Sequence, residues 1–310
     1  MGKVSVFLHT GGKQQFAALQ KNYTNISGSI GFTYKITEQF YFKMNFARGF
    51  RAPSISEITS NGAHEGTIRF EYGNVNLKPE INHQLDMGIE LNTKHIGISI
   101  TPFFNRIDNF IYYRKIASLK GGDSTLLEKD SKETLYAFTY NQGTAIVYGG
   151  EAAIEIHPHP LDWLHIESDF SYLNNQKLNH PDSTKYLPFM PPPRWVNEIK
   201  TEWNNLGKNI KSFYIKGELV YNFAQDHFFK AYDTETRTPD YTLINAVTGV
   251  KIKQSEHVVF EINAGVNNIM DIAYQSHLNR LKYLPINLST GRQGVFNMGR
   301  NIFVNVAVRF

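Results

Sequence analysis

The 310-residue chain contains no cysteine. Disulfides, thiolate nucleophiles and cysteine-ligated metals are therefore excluded, although the compartment is left open. No run of Ala, Val, Ile, Leu, Met, Phe, Trp or Tyr is longer than four residues, whereas a spanning helix needs about 20 predominantly apolar positions. Transmembrane helices are excluded. Transmembrane strands are not, because only alternate residues of such a strand meet lipid, and a mean hydropathy of −0.36 does not decide against them. The beginning, Met1-Gly2-Lys3-Val4-Ser5-Val6-Phe7-Leu8-His9, has no apolar core of signal-peptide length. An excess of one charge is lacking too: 32 Lys and Arg stand against 28 Asp and Glu, +4 overall, with no strongly basic cluster. Neither nucleic acid nor an acidic membrane surface is implied as a partner.

What is present is aromatic and alternating. Aromatics reach 14% with only 19% charged residues, a balance that disordered chains do not have. At the end of the chain Ile302, Val304, Val306, Val308 and Phe310 alternate with Phe303, Asn305, Ala307 and Arg309. This is the period of a strand with one apolar face. The same test finds Phe260, Ile262, Ala264 and Val266 in 258–267, Phe213, Ile215, Leu219 and Tyr221 in 211–223, and Leu85, Met87, Ile89 and Leu91 in 85–91. It continues in 25–36, 39–50, 96–107 and 144–156, more weakly in 163–174, 194–203 and 241–253, and briefly in 3–9. About twelve strands result, and nowhere does an apolar i, i+3, i+4, i+7 stripe persist for three turns.

The connections alternate in length. Short ones are Thr37-Glu38, Thr93-Lys94-His95, 157–162, 204–209 and 254–257; long ones are 10–24, 51–80, 113–139, 175–189, 224–239 and 272–298. Tight turns on one side and long loops on the other describe an all-β, antiparallel, up-and-down transmembrane β-barrel, with turns periplasmic and loops extracellular. Three features favour this over a soluble sandwich. The polar face carries Asn, Ser, Thr and Gly with scattered charge, as a wet lumen would. Strands of about 10–12 residues exceed the ~5–6 usual in soluble sheets. Aromatics gather near strand ends, among them Trp163, Trp195 and Trp203, as interfacial girdles require.

The loop after 39–50 reads Phe46-Ala47-Arg48-Gly49-Phe50-Arg51-Ala52-Pro53-Ser54, then Glu57, and later Gly73-Asn74-Val75-Asn76-Leu77-Lys78-Pro79-Glu80. These two halves, in this order, resemble the barrel signature of TonB-dependent outer-membrane receptors. Val266-Asn267-Asn268-Ile269-Met270-Asp271 with Tyr274, and Gly299-Arg300-Asn301 leading to Phe310, are similar to the family's last two strands. The resemblance covers roughly residues 25–310. Receptors of this family have about 22 strands behind an N-terminal plug, so the chain resembles the C-terminal part of such a barrel: a single domain over 1–310, with plug and first strands absent. Met1 would then begin a fragment or a truncated reading frame.

The resemblance implies energy-coupled uptake of a scarce ligand, most commonly a ferric siderophore or similar iron chelate, with no covalent chemistry and no cofactor. It implies as partners the outer-membrane lipid, the plug and N-terminal strands, a TonB-type energy-coupling protein acting through the absent part, and a small-molecule ligand. Ligand contacts are expected in the extracellular loops, where Arg51, His64, Tyr112, Tyr113, Tyr140, His180, His227, Tyr232 and His277 are the candidates. Phe50, Arg51, Ala52, Pro53, Glu57, Gly73, Asn74, Leu77, Pro79 and Glu80 read as architectural, with Arg51 pairing Glu57 or Glu80 to hold a long loop. The insertion machinery is expected to read Val304, Val306, Val308 and Phe310.

Enzyme readings fare poorly. There is no Gly-x-Ser-x-Gly elbow, and His165, alternating with Leu164 and Ile166, points away from lipid, unlike a barrel-borne lipase. His157-Pro158-His159-Pro160 is the most suggestive metal pair, yet a proline beside each histidine sets the backbone without orienting both rings, so it reads as a turn and no metal is expected. The alternative to a receptor is a plug-free passive porin or a structural or adhesin barrel.

Overall fold

The computed structural model describes residues 2–6, 19–64, 69–127, 134–255 and 258–310. Parts of the expected first strand, of loops 10–24, 51–80 and 113–139 and of turn 254–257 lie outside the described residues. The strands are β1 Gly2–Val6, β2 Leu19–Tyr23, β3 Gly28–Lys35, β4 Phe40–Arg51, β5 Asn61–His64, β6 Arg69–Tyr72, β7 Glu80–Asn92 and β8 Ile96–Lys115. They continue as β9 Thr125–Leu127, β10 Thr134–Ile156, β11 Leu164–Lys177, β12 Arg194–Asn204, β13 Ile210–Asn222, β14 Tyr241–Lys253, β15 Val259–Asn267 and β16 Asn301–Arg309. The helices among the described residues are short, α1 Ile55–Thr59, α2 Asp182–Lys185 and two 3₁₀ turns. None is long and apolar enough to cross a membrane.

The main sheet follows chain order, β16-β15-β14-β13-β12-β11-β10-β8-β7-β4-β3, with β5, β6 and β9 added locally and β1 pairing β2 separately. This is the predicted meander. β16 and β3 end the path and do not pair with each other. Two details depart from the prediction. The long loops carry strand extensions, so β8 and β10 outrun the expected 96–107 and 144–156. Arg69–Tyr72 also runs parallel beside Tyr136–Thr139, where the meander predicts antiparallel pairing.

The chain divides into two compact units. The first contains Met1–Ile30, Asn45–Leu85 and Asn105–Ile146, and the second Gly31–Met44, Asp86–Phe104 and Val147–Phe310. In the second unit one sheet face is apolar and exposed: Ile199 is 55% accessible, Ile302 72% and Val304 67%. A soluble domain would leave such a patch unstable or aggregation-prone, whereas lipid makes it the favoured surface. The other face is polar and internally paired. Glu198 stands opposite Glu218 and Lys200 opposite Lys216. These like-charged neighbours are relieved diagonally, Lys216 Nζ reaching Glu198 at 2.8 Å, while Glu218 accepts from Asn245 at 2.6 Å. Lys43 binds Glu90 at 2.6 Å in the same way.

Local chemistry sets the turns and girdles. At the first two tight turns a threonine hydroxyl caps the reversal. Thr37 Oγ1 accepts from the amides of Gln39 and Phe40, and Thr93 Oγ1 from those of His95 and Ile96. Trp163, Trp203 and Phe213 stack in sequence with 6.0 Å between centroids, a girdle beside the short turns. Gly265 lies opposite Phe303, whose ring covers the space a Cβ would need.

Candidate functional site

In the first unit the loop 52–79 is closed by Arg51, the last residue of β4. Its Nε and Nη2 donate to the two oxygens of Glu80 at 2.6 and 2.8 Å, and Nη1 donates to Glu57 at 2.9 Å. Glu80 also accepts from the amide of Ile111 at 2.7 Å. Ser54 and Glu57 form a capping box that starts α1, Glu57 accepting from the Ser54 amide at 2.6 Å. One carboxylate therefore serves both helix cap and ion pair. Burial would raise the Glu57 carboxyl, but Arg51 and the Ser54 amide outweigh it and hold the group below the ordinary carboxylate range. The Arg51 guanidinium is held charged, chiefly by Glu80.

The far end of the loop closes on the same helix. Gly73 and Asn74 amides donate to the carbonyls of Ser60 and Glu57 at 2.6 and 2.8 Å, and any Cβ at residue 73 would collide with the Ile58 carbonyl. Glycine is required there by contact, not by φ. Pro53, Ile58 and Leu77 of this segment are buried. Asn74 Nδ2 donates to the Tyr140 carbonyl at 2.9 Å, and Tyr140 Oη to Glu71 at 2.7 Å. Burial first, then Glu71, pushes the Tyr140 phenol up.

In the second unit three long connections meet at Glu235, whose side chain has no exposure. It accepts from the amides of Phe189 and of Phe229, the latter at 2.9 Å, and its oxygen lies 3.7 Å from His277 Nε2. Lys282 Nζ donates to Thr238 Oγ1 at 2.7 Å, and that oxygen lies 2.8 Å from His277 Nδ1. Burial raises the Glu235 carboxyl, but His277 and the two amides bring it below its ordinary value. Burial also lowers Lys177, whose ammonium sits 4.8 Å over the Phe229 ring, to about 8.

Above this cluster the second unit holds a cavity of about 680 Å³ lined by Arg237, Tyr241, Tyr274, Lys282, Tyr283 and Phe296. That volume lies in the range of small-molecule sites, ~300–1,000 Å³. Tyr241 and Tyr274 stack at 4.6 Å, presenting an aromatic wall beside two cationic side chains. The lining also includes Asp240, and the Arg237 guanidinium is paired with Asp226 at 2.6 Å.

The sequence candidates fall into distinct settings. Arg51 and Tyr140 belong to the first-unit latch, and Tyr113 packs edge-on to Phe138, 5.6 Å between centroids, under the Arg69 guanidinium. Tyr112 on β8 is half-buried; His64 lies on β5. In the second unit His227 stacks on Tyr186 at 5.0 Å, Tyr232 meets Phe229 at 5.6 Å and His180 Nδ1 lies 3.4 Å from Thr184 Oγ1. His277 is 2% exposed and part of the loop packing. The cavity residues Arg237, Lys282, Tyr283 and Phe296 were not among the candidates; they are scattered through two long connections at ordinary frequency, and no local sequence signal marks them.

A family model described as the TonB dependent receptor-like β-barrel matches residues 3–269. The chain belongs to this family of TonB-dependent receptor barrels. Among solved structures it is similar to the copper transporter OprC, with 15% identity over 91% of this chain and 39% of that one and a TM-score of 0.66. A mutant ferric enterobactin receptor from Pseudomonas aeruginosa gives 16% identity, 92% and 40% coverage and a TM-score of 0.60. The siderophore receptor PirA from Acinetobacter baumannii gives 14%, 92%, 41% and 0.60. The chain therefore spans about two fifths of the length of the structures it matches.

Proposed function

We propose that the chain is the C-terminal part of an outer-membrane receptor barrel for energy-coupled uptake of a ferric siderophore or similar iron chelate. The observation that carries this is the cavity of about 680 Å³, where Arg237 and Lys282 stand beside the Tyr241–Tyr274 stack. Iron chelates of the catecholate type are anionic and expose planar aromatic rings, and a lining of cations and rings complements both properties. Two of the similar structures bear names of siderophore or enterobactin receptors. The apolar sheet face would meet outer-membrane lipid, and Val304, Val306, Val308 and Phe310 would be read by the insertion machinery. Plug, N-terminal strands and a TonB-type partner would supply gating and energy.

The test is binding of ferric enterobactin to the protein extracted folded from membranes, followed by tryptophan fluorescence. Arg237→Ala and Tyr274→Ala are each expected to weaken binding about tenfold without changing heat-modifiable mobility. Wild-type affinity in both variants would remove this cavity from the ligand path.

A further inference from the structure

Four of the histidines gather away from these loops, three at the tight turns joining β7 to β8 and β10 to β11 and His165 at the start of β11. His95 and His159 bring their rings to 5.8 Å between centroids, tilted by 36°. His157 and His165 meet edge to face at 4.5 Å. All four belong to the second unit.

The hydrogen bonds fix where the ring protons are. His95 Nδ1 lies 3.1 Å from the carbonyl oxygen of His157, which can only accept, so His95 carries its proton on Nδ1. His159 Nδ1 lies 3.3 Å from an Asp162 carboxylate oxygen, and the same reasoning applies. In their neutral forms both rings present a bare Nε2 lone pair. An imidazole that donates one N–H to a carbonyl or carboxylate and offers the other nitrogen is how metal-bound histidines are held. With metal–nitrogen bonds of ~2.0–2.1 Å, two imidazoles sharing one ion stand about 5–6 Å apart between centroids, the separation found for His95 and His159.

We propose that His95 and His159, completed by His157, form a binding site for a divalent transition-metal ion that favours imidazole, such as Zn²⁺ or Ni²⁺. No three His, Asp or Glu side chains among the described residues already converge on one point. The two rings are already neighbours, and the ion recruits the third ligand. His157 is suited to this because its carbonyl holds His95 and it lies two residues from His159, and its Nε2 is 2.6 Å from Glu155, which leaves Nδ1 to turn toward an ion. Access is open, the His159 side chain being 65% exposed. With imidazole donors at the centre, the site suits borderline ions rather than Mg²⁺ or Ca²⁺, which prefer oxygen cages.

The experiment is calorimetric titration of the untagged protein, folded in detergent micelles at pH 7.5, with zinc chloride, nickel chloride and magnesium chloride. One saturable zinc or nickel ion per chain is expected, with no magnesium binding. His95→Ala and His159→Ala should each weaken affinity at least tenfold, whereas His180→Ala and His227→Ala, in the long loops, should leave it unchanged. His159 is exposed enough that His159→Ala keeps the fold, which heat-modifiable mobility checks. Absence of saturable binding in the wild type, or unchanged affinity in a folded His159→Ala variant, overturns the proposal.

Discussion

Glu80 and Glu235 are both buried carboxylates that hold long loops, one in each compact unit, and they do so by different means. Glu80 is clamped by a guanidinium and one amide, a charge-assisted fork that ties the end of β4 to the start of β7. Glu235 has no arginine; two backbone amides and a histidine hold it beneath the cavity wall. The first arrangement is tight and local to a motif. The second depends on three separate loops staying together, so a smaller perturbation should release it.

The largest effect is expected from Glu80→Ala, which strands Arg51 Nε, Arg51 Nη2 and the Ile111 amide. A loss of about 3 kcal/mol, read by urea unfolding, should come with protease cutting within 52–79 and not within 224–240. Glu235→Gln is expected to cost about 1–2 kcal/mol, because an amide oxygen still accepts one of the two N–H groups. Cleavage should then move to 224–240 and 272–298. Equal cleavage patterns in the two variants would erase the distinction between the regions. Tyr140→Phe, which removes only the bond to Glu71, should cost about 1 kcal/mol and leave the second unit untouched.

The smallest effect is a divergence in alkali. Lys177 has its pKa lowered to about 8 from 10.5, so between those values the unfolded chain binds the extra proton and stability of the second-unit loops rises with pH. Tyr140 is raised above 10, so its contribution is complete below pH 10 and is lost as pH climbs beyond it. Hydrogen exchange should therefore show the second unit tightening from pH 8 to 10 while the first begins to loosen only above pH 10. Lys177→Met should weaken the first trend, the remainder coming from Lys282, which burial also lowers.

These two regions also differ in how far the sequence announces them. The Arg51-Ala52-Pro53 and Leu77-Lys78-Pro79-Glu80 steps are contiguous strings, and both pairings considered for Arg51 are made. Glu235, Thr238, His277 and Lys282 share no string, because loop residues brought together by packing carry no period to read. The same limit explains β8. Its alternation is clear through Ile107, but Asn109 takes a positive φ of 57°, which re-aims the strand and breaks the period before Lys115. β5, β6 and α1 are four or five residues long, too short for a pattern. Within the last strand Val304, Val306 and Val308 are exposed, and so are Asn305, Ala307 and Arg309 of the opposite face.

The central claim is that one sheet face meets lipid and the other water. A chain without cysteine allows it to be tested by single nitroxide labels at residues 303 to 308, with collision rates measured for oxygen and for a water-soluble paramagnetic chelate in reconstituted bilayers. Period-two alternation is expected, labels at 304, 306 and 308 favouring oxygen and those at 303, 305 and 307 favouring the chelate. Equal accessibility along both series would contradict a membrane-spanning strand.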